Sequence, residues 1–88
     1  MTTTHLLIIG AASLDTKGRA SQPIQAGTST PGAIRISAGG VARNIAENLA
    51  RLGEPVVLLS AVGDDSSGRR ILGQAAEAGI DVSHVVVD

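Results

Sequence analysis

Apolar residues along this chain fall into three short runs and one helical stripe. Leu6–Ile9 is an unbroken apolar run closed by Gly10, and its length and terminal glycine predict a strand buried on both faces. At 100° per residue, Val41, Ala42, Ile45, Leu49 and Leu52 share one stripe. Arg43, Glu47 and Arg51 occupy the opposite side at four-residue spacing, a surface ladder of alternating charge. The spacing predicts a helix over 41–52, about 12 residues or roughly 18 Å long. Gly53 suits the position just past its end, and Pro55 blocks continuation. Val56–Val62, apolar apart from Ser60, reads as a central parallel strand. Gly63-Asp64-Asp65 then turns into a second helix over about 66–78, with Asp64 or Asp65 as its N-cap. Gly79 ends that helix, and Ile80 folds back onto it. Val82–Val87, with His84 among them, reads as a final strand.

Between the first strand and the first helix the pattern changes. Thr16–Ser37 is rich in Gly, Ser, Thr, Pro and Gln, punctuated by Pro23, Gly27, Pro31 and Gly32. A short strand fits Leu14–Ala20, and Ile34 and Ile36 alternate with Arg35 and Ser37 as in a half-exposed strand. An excursion of this length between core elements reads as a lid over a site, with Lys17, Arg19 and Arg35 as solvated charges. The order is strand, flap, helix, strand, helix, strand, with right-handed parallel crossovers between the helix-joined strands.

Composition narrows the picture. The 88 residues are 43% hydrophobic with no Phe, Tyr or Trp, so the core is built from Ile, Leu, Val and Ala. A chain of this size buries only roughly 60–65% of its unfolded surface. The formal charge of −1 and the scattered basic residues exclude a nucleic-acid footprint, and base stacking on aromatic side chains is impossible. Cysteine is absent, which fits a reducing compartment. The short apolar run near the N-terminus is neither a signal peptide nor a membrane span. A cytoplasmic protein is expected.

Candidate chemistry gathers around Gly39-Gly40. Neither glycine has a Cβ, so backbone can approach a ligand closely, and Asn44 sits one turn into the helix beside them. Asn48 projects deeper, near Val41 and Leu52, and is expected to tie the helix to neighbouring backbone, leaving Asn44 for ligand. Asp15 lies just past the carboxyl end of the first strand, where open α/β sheets bind ligands. Its carboxylate suits a sugar diol, or else caps a turn. Gly10-Ala11-Ala12-Ser13 opens like a dinucleotide fingerprint but lacks the G-x-G-x-x-G that would complete one. Asp64 and Asp65 are adjacent, without His or Glu at ligand spacing, so capping is preferred to metal binding. His84 alone on a strand reads as an ordinary residue.

GGVARNIAENLARLG, with Gly63 and DDSSG downstream, resembles the N-terminal signature of the ribokinase-like (PfkB) carbohydrate kinase family. Gly39, Gly40, Ala42, Asn44, Ala46, Gly53 and Gly63 match at the family's spacing, seven positions over 25 residues. Upstream, IIGAASLD resembles the family's first strand and sugar-binding aspartate. STPGAIRISAGGVARNIAENLARLG looks most like the pseudouridine kinases within the family. The resemblance covers essentially the whole chain and implies an α/β fold, the N-terminal part of an α/β/α sandwich with parallel central strands and a small β lid. It implies transfer of the γ-phosphoryl group of ATP, with Mg2+, to the CH2–OH of a sugar or nucleoside.

By the same resemblance, Asp15 binds sugar hydroxyls, Gly39 and Gly40 contact the sugar through backbone, and Asn44 bonds another hydroxyl. Ser13 stands where many relatives have Asn and reaches less far. The lid, about 16–37 with the strand near Val85, often mediates dimerisation, which implies a homodimer. No catalytic residue and no metal ligand is implied within these 88 residues. The family's Gly-Ala-Gly-Asp motif and nucleotide-binding segments have no counterpart in this sequence. Few strands and two helices also leave a sheet face and an edge uncovered. The expectation is the amino-terminal third or less of a kinase, residues 1–88 forming its acceptor-binding portion.

Overall fold

The computed structural model describes residues 4–88. In chain order the elements are β1 Leu6–Ile9, β2 Ser13–Ala20, β3 Gly32–Gly39, α1 Val41–Arg51, β4 Val56–Leu59, β5 Ala61–Val62, α2 Ser66–Glu77 and β6 Val86–Val87. β1 pairs in parallel with β4, Leu6 opposite Val56 through Ile9 opposite Leu59. On the other side of this central segment Asp81 bridges Val57, and β6 runs parallel to β5. β2 and β3 form a separate antiparallel hairpin, in register from Ser13 opposite Gly39 to Ala20 opposite Gly32. The α/β order and the parallel crossovers are those the apolar pattern predicts.

The core lies between the sheet and two helices packed on one of its faces. Val56 and Leu58, two residues apart on β4, point the same way into Ala42 and Ala46 of α1, Ala75 of α2, and Ile80. Alanine at these helix positions lets the backbones come close to the sheet, so the aromatic-free composition still closes a packed core. The opposite face is bare: Leu7 and Ile9 are exposed. The expectation that the first strand is buried on both faces therefore fails, because among the described residues β1 packs only through Ile8 and pairs only with β4.

Three further expectations change. The apolar run at 56–62 divides at Ser60, whose carbonyl accepts from Val86 N–H at 2.9 Å; β4 serves β1 and β5 serves β6. Residues 82–85 turn instead of extending, closed by Val85 N–H donating to the Val82 carbonyl at 3.1 Å. Asp81 stabilises the turn by accepting from Ser83 Oγ at 2.6 Å and Ser83 N at 2.9 Å, bonds that pull its carboxyl below the usual carboxylate range. The strand near Val85 consequently pairs in parallel with β5, and among the described residues the hairpin strands β2 and β3 pair with each other and not with it.

The helix stripe is also resolved differently. Ala42 and Ala46 are buried, whereas Val41 is 76% and Leu52 78% exposed, with Ile45 exposed beside them. The apolar arc of α1 is wider than its contact with β1 and β4, and the alanine half, which permits closer approach, faces the sheet. Asn48 lies on the exposed half and its side chain makes no hydrogen bond among the described residues, so it does not anchor the helix. The charged ladder exists, with Arg43 Nη2 at 2.8 Å and Arg51 Nε at 3.6 Å from the Glu47 carboxylate. Its Arg43 end is covered, though, leaving that residue only 6% exposed.

Helix ends follow the expected chemistry. Gly53 (φ 88°) closes α1 by donating to the Ala50 carbonyl, while Glu54 N–H reaches Leu49, the paired bonds that satisfy terminal carbonyls. Gly79 and Ile80 repeat this at Ala76 and Ala75. Asp65, not Asp64, caps α2, accepting from Gly68 N–H at 2.8 Å; Asp64 instead lies 3.8 Å from Arg69.

Two glycines within α2 give opposite predictions. A Cβ on Gly68 would run into the Gly63 carbonyl, whereas one on Gly73 meets nothing within 4 Å. Gly68→Ala is expected to destabilise the protein by about 1–3 kcal/mol. Gly73→Ala is expected to stabilise it by about 0.5–1 kcal/mol, because alanine loses less backbone entropy in a helix. Thermal unfolding followed by circular dichroism reads both; equal shifts for the two would contradict the close approach at Gly68.

Candidate functional site

The base of the β2–β3 hairpin and the start of α1 meet at Gly39. Side chains alternate along a strand, so Ser13 and Asp15 share one face of the hairpin with Ser37 and Gly39. The Asp15 carboxylate lies directly over Gly39: a Cβ there would sit 2.5 Å from Oδ2 and 3.0 Å from Oδ1. Ser13 Oγ lies 3.5 Å from Asp15 Oδ1, at the outer limit of a hydrogen bond. Asp15 is exposed while Gly39 beneath it is buried.

Gly40 is the N-cap of α1, with φ 93° and ψ 129°, a conformation side-chain-bearing residues rarely adopt. A Cβ there would also run into the Ala11 carbonyl, which accepts from Arg43 N–H at 3.1 Å. Asn44 N–H makes the first helical bond, 2.9 Å to the Gly40 carbonyl. No side chain caps α1 and no acid sits in its first turn. The Val41 and Ala42 amides, which have no hydrogen-bond partner among the described residues, lie at the positive end of the helix dipole directly after Gly39-Gly40 in the chain.

Asn44 is exposed, and its Oδ1 accepts from Arg43 Nη1 at 3.3 Å. The fold thus gathers Ser13, Asp15, Gly39, Gly40 and Asn44 at one end of α1. An acceptor carboxylate beside donor amides is the complement of a pair of vicinal hydroxyls, each of which both donates and accepts. Asn48, His84 and the Asp64–Asp65 pair take no part. The cavity between α1 and α2, about 520 Å³ and lined by Ala38, Arg43, Glu47, Arg51, Gln74, Glu77 and Ala78, contains none of the five. Among the described residues no three His, Asp or Glu side chains cluster as a metal centre would require, and no helix is long and apolar enough to cross a membrane.

The glycine pair was expected to admit a ligand to the backbone. In the structure its missing side chains make room first for protein atoms, the Asp15 carboxylate and the Ala11 carbonyl. Residue pattern also missed Arg43, whose four-residue spacing to Glu47 looks like any surface ladder.

The pfkB family carbohydrate kinase pattern matches residues 3–88. The chain belongs to the pfkB family of carbohydrate kinases. It is 44% identical over 82 residues to the uncharacterized sugar kinase YeiI of Escherichia coli, covering 93% of this chain and 23% of that protein. It is 41% identical over 83 residues to the pseudouridine kinase of Escherichia coli, covering 94% of this chain and 26% of that one. Among solved structures, a carbohydrate kinase from Agrobacterium tumefaciens superposes with a TM-score of 0.87 at 30% identity, covering 98% of this chain and 28% of that one. The chain spans about a quarter of the length of the curated relatives it matches. Its architecture is the N-terminal part of the ribokinase-like fold.

Gly39→Ala tests the contact at the centre of the site. The added methyl is expected to displace the Asp15 carboxylate from its position over the strand end, seen as a changed Asp15 rotamer in a crystal structure of the variant. An unmoved Asp15 would mean that β3 shifts to absorb the methyl and that Gly39 does not set the carboxylate's place.

Proposed function

We propose that this chain is the acceptor-binding portion of an ATP-dependent kinase that phosphorylates the CH2–OH of a sugar or nucleoside, with pseudouridine as preferred acceptor. The observation that carries the reading is the Asp15 carboxylate held over Gly39 beside the uncapped start of α1. Asp15 accepts hydrogen bonds from two adjacent acceptor hydroxyls. The Gly39–Gly40 backbone and the first-turn amides of α1 lie against the same ring, and Asn44 donates to a further hydroxyl. Ser13 steadies Asp15 and stands at the edge of the sugar. The β2–β3 hairpin covers the bound acceptor, excluding water that would compete for the phosphoryl group.

ATP and Mg2+ belong to other parts of the kinase in this reading. The Gly10–Ser13 turn lacks the G-x-G-x-x-G pattern of a nucleotide cradle, and its Ala11 carbonyl accepts from α1. The phosphoryl donor supplies the reactive γ-phosphate, and this chain orients the hydroxyl that receives it. The exposed Ile34 and Ile36 of the lid support a homodimer formed through the hairpin, in a cytoplasmic enzyme. Preference for pseudouridine rests on the 41% identity to a kinase of that name. The 44% identity to a sugar kinase favours a second reading, a ribose- or fructose-type acceptor.

A substrate panel on the complete kinase separates these readings: pseudouridine is expected to give the highest kcat/KM, and no turnover of it would refute the preference. Asp15→Asn is expected to lower kcat/KM for the acceptor roughly 10- to 100-fold, the loss of a charge-assisted hydrogen bond. The 88-residue chain by itself is expected to show no ATP-dependent phosphorylation, and measurable turnover would contradict the assignment of the chemistry to other segments.

A further inference from the structure

Arg43 is a cation withdrawn from water next to a residue of the proposed site. It is 6% exposed, covered by α2 and Ala38 along the α1–α2 cavity. Burying a guanidinium is costly unless its donors are used. Nη2 bonds the Glu47 carboxylate at 2.8 Å, and Nη1 bonds Asn44 Oδ1 at 3.3 Å. Nε has no partner among the described residues, so the whole hydrogen-bonding yield of this buried charge goes to Glu47 and Asn44.

The consequence follows from donor and acceptor chemistry. A guanidinium only donates, so the Asn44 atom that faces it must be the carbonyl oxygen. The Nδ2 amide hydrogens then point away from Arg43. Glu47, which also lies 3.6 Å from Arg51 as an ion pair, accepts from the guanidinium at 2.8 Å and holds it in place. An exposed amide with no such neighbour flips between two orientations and presents donor or acceptor indifferently.

We propose that Arg43 is a positioning residue that locks the Asn44 amide with its N–H donors turned to the acceptor. Resting on the function proposed above, this makes the site selective for an acceptor that offers Asn44 a lone pair while giving protons to Asp15. A sugar with a vicinal diol for Asp15 and a further hydroxyl oxygen for Asn44 does both; a deoxy sugar lacking one of these hydroxyls does not.

A double-mutant cycle on the complete kinase tests this, using Arg43→Met, which keeps the length of the side chain, and Asn44→Ala. Arg43→Met is expected to raise the acceptor KM roughly five- to tenfold with the KM for ATP unchanged. In an Asn44→Ala background the same substitution is expected to change the acceptor KM less than twofold, because the group it orients is gone. Glu47→Gln is expected to give a smaller loss of the same kind. An equal effect of Arg43→Met with and without Asn44 would overturn the proposal, since a purely structural guanidinium would behave so. The Asn44 side-chain amide resonances give a readout independent of substrate, and they are expected to move on Arg43→Met. If they move while Asn44→Ala leaves the acceptor KM untouched, Arg43 does lock the amide and the acceptor contact at Asn44 is what fails. Resonances that stay in place would overturn the lock itself.

Discussion

The structure depends on one close approach, that of the start of α1 to the turn after β1. Gly40 sits against the Ala11 carbonyl and Gly39 against the Asp15 carboxylate, so two methyl groups are missing where backbone and side chain must share one space. The Arg43 N–H bond to Ala11 draws the helix onto the turn, and the hairpin base is pinned in the same act because Gly39 is its last residue. Helix direction, lid attachment and carboxylate position are three results of a single contact. A side chain at either glycine would force a choice among them.

From that contact the packing of α1 follows. Docked through Gly40, the helix brings Ala42 and Ala46 over Val56 and Leu58 and leaves Val41, Ile45 and Leu52 facing outward. Dispersion and burial are gained by close backbone approach instead of by large side chains, which suits a chain with no aromatic residue. The same rotation carries Arg43 under α2 and leaves Asn44 at the open end.

Much of this was legible from residues alone. Gly53 and Gly79 stop helices where such glycines should, and of the two aspartates offered as the cap of α2 it is Asp65 that caps. The misreadings share a cause. Periodicity marks which residues of α1 are apolar, but its apolar arc is wider than the surface it meets, and only the docking geometry selects the alanine half. Periodicity therefore puts Asn48 at the edge of the apolar stripe, towards the packed side, and Arg43 on the outer face, whereas in the fold Asn48 is exposed and Arg43 buried. Val82–Val87 looks like a strand by composition, yet Asp81 and Ser83 carry the Asx-type turn signal that interrupts it.

The hairpin's register has a consequence for how such a protein changes over generations. At its base Ser13 faces Gly39 and Asp15 faces Ser37, whereas its far end closes with Ser21 N–H and Oγ both on the Pro31 carbonyl, at 2.9 and 3.0 Å. Residues gained or lost in the loop beyond that clasp leave every pairing at the base intact. A single residue inserted within β2 between Asp15 and the clasp instead turns all later side chains to the opposite face. A change of length confined to the 22–30 loop therefore reshapes the far end of the hairpin while the pairing that holds Asp15 at its base stays as it was.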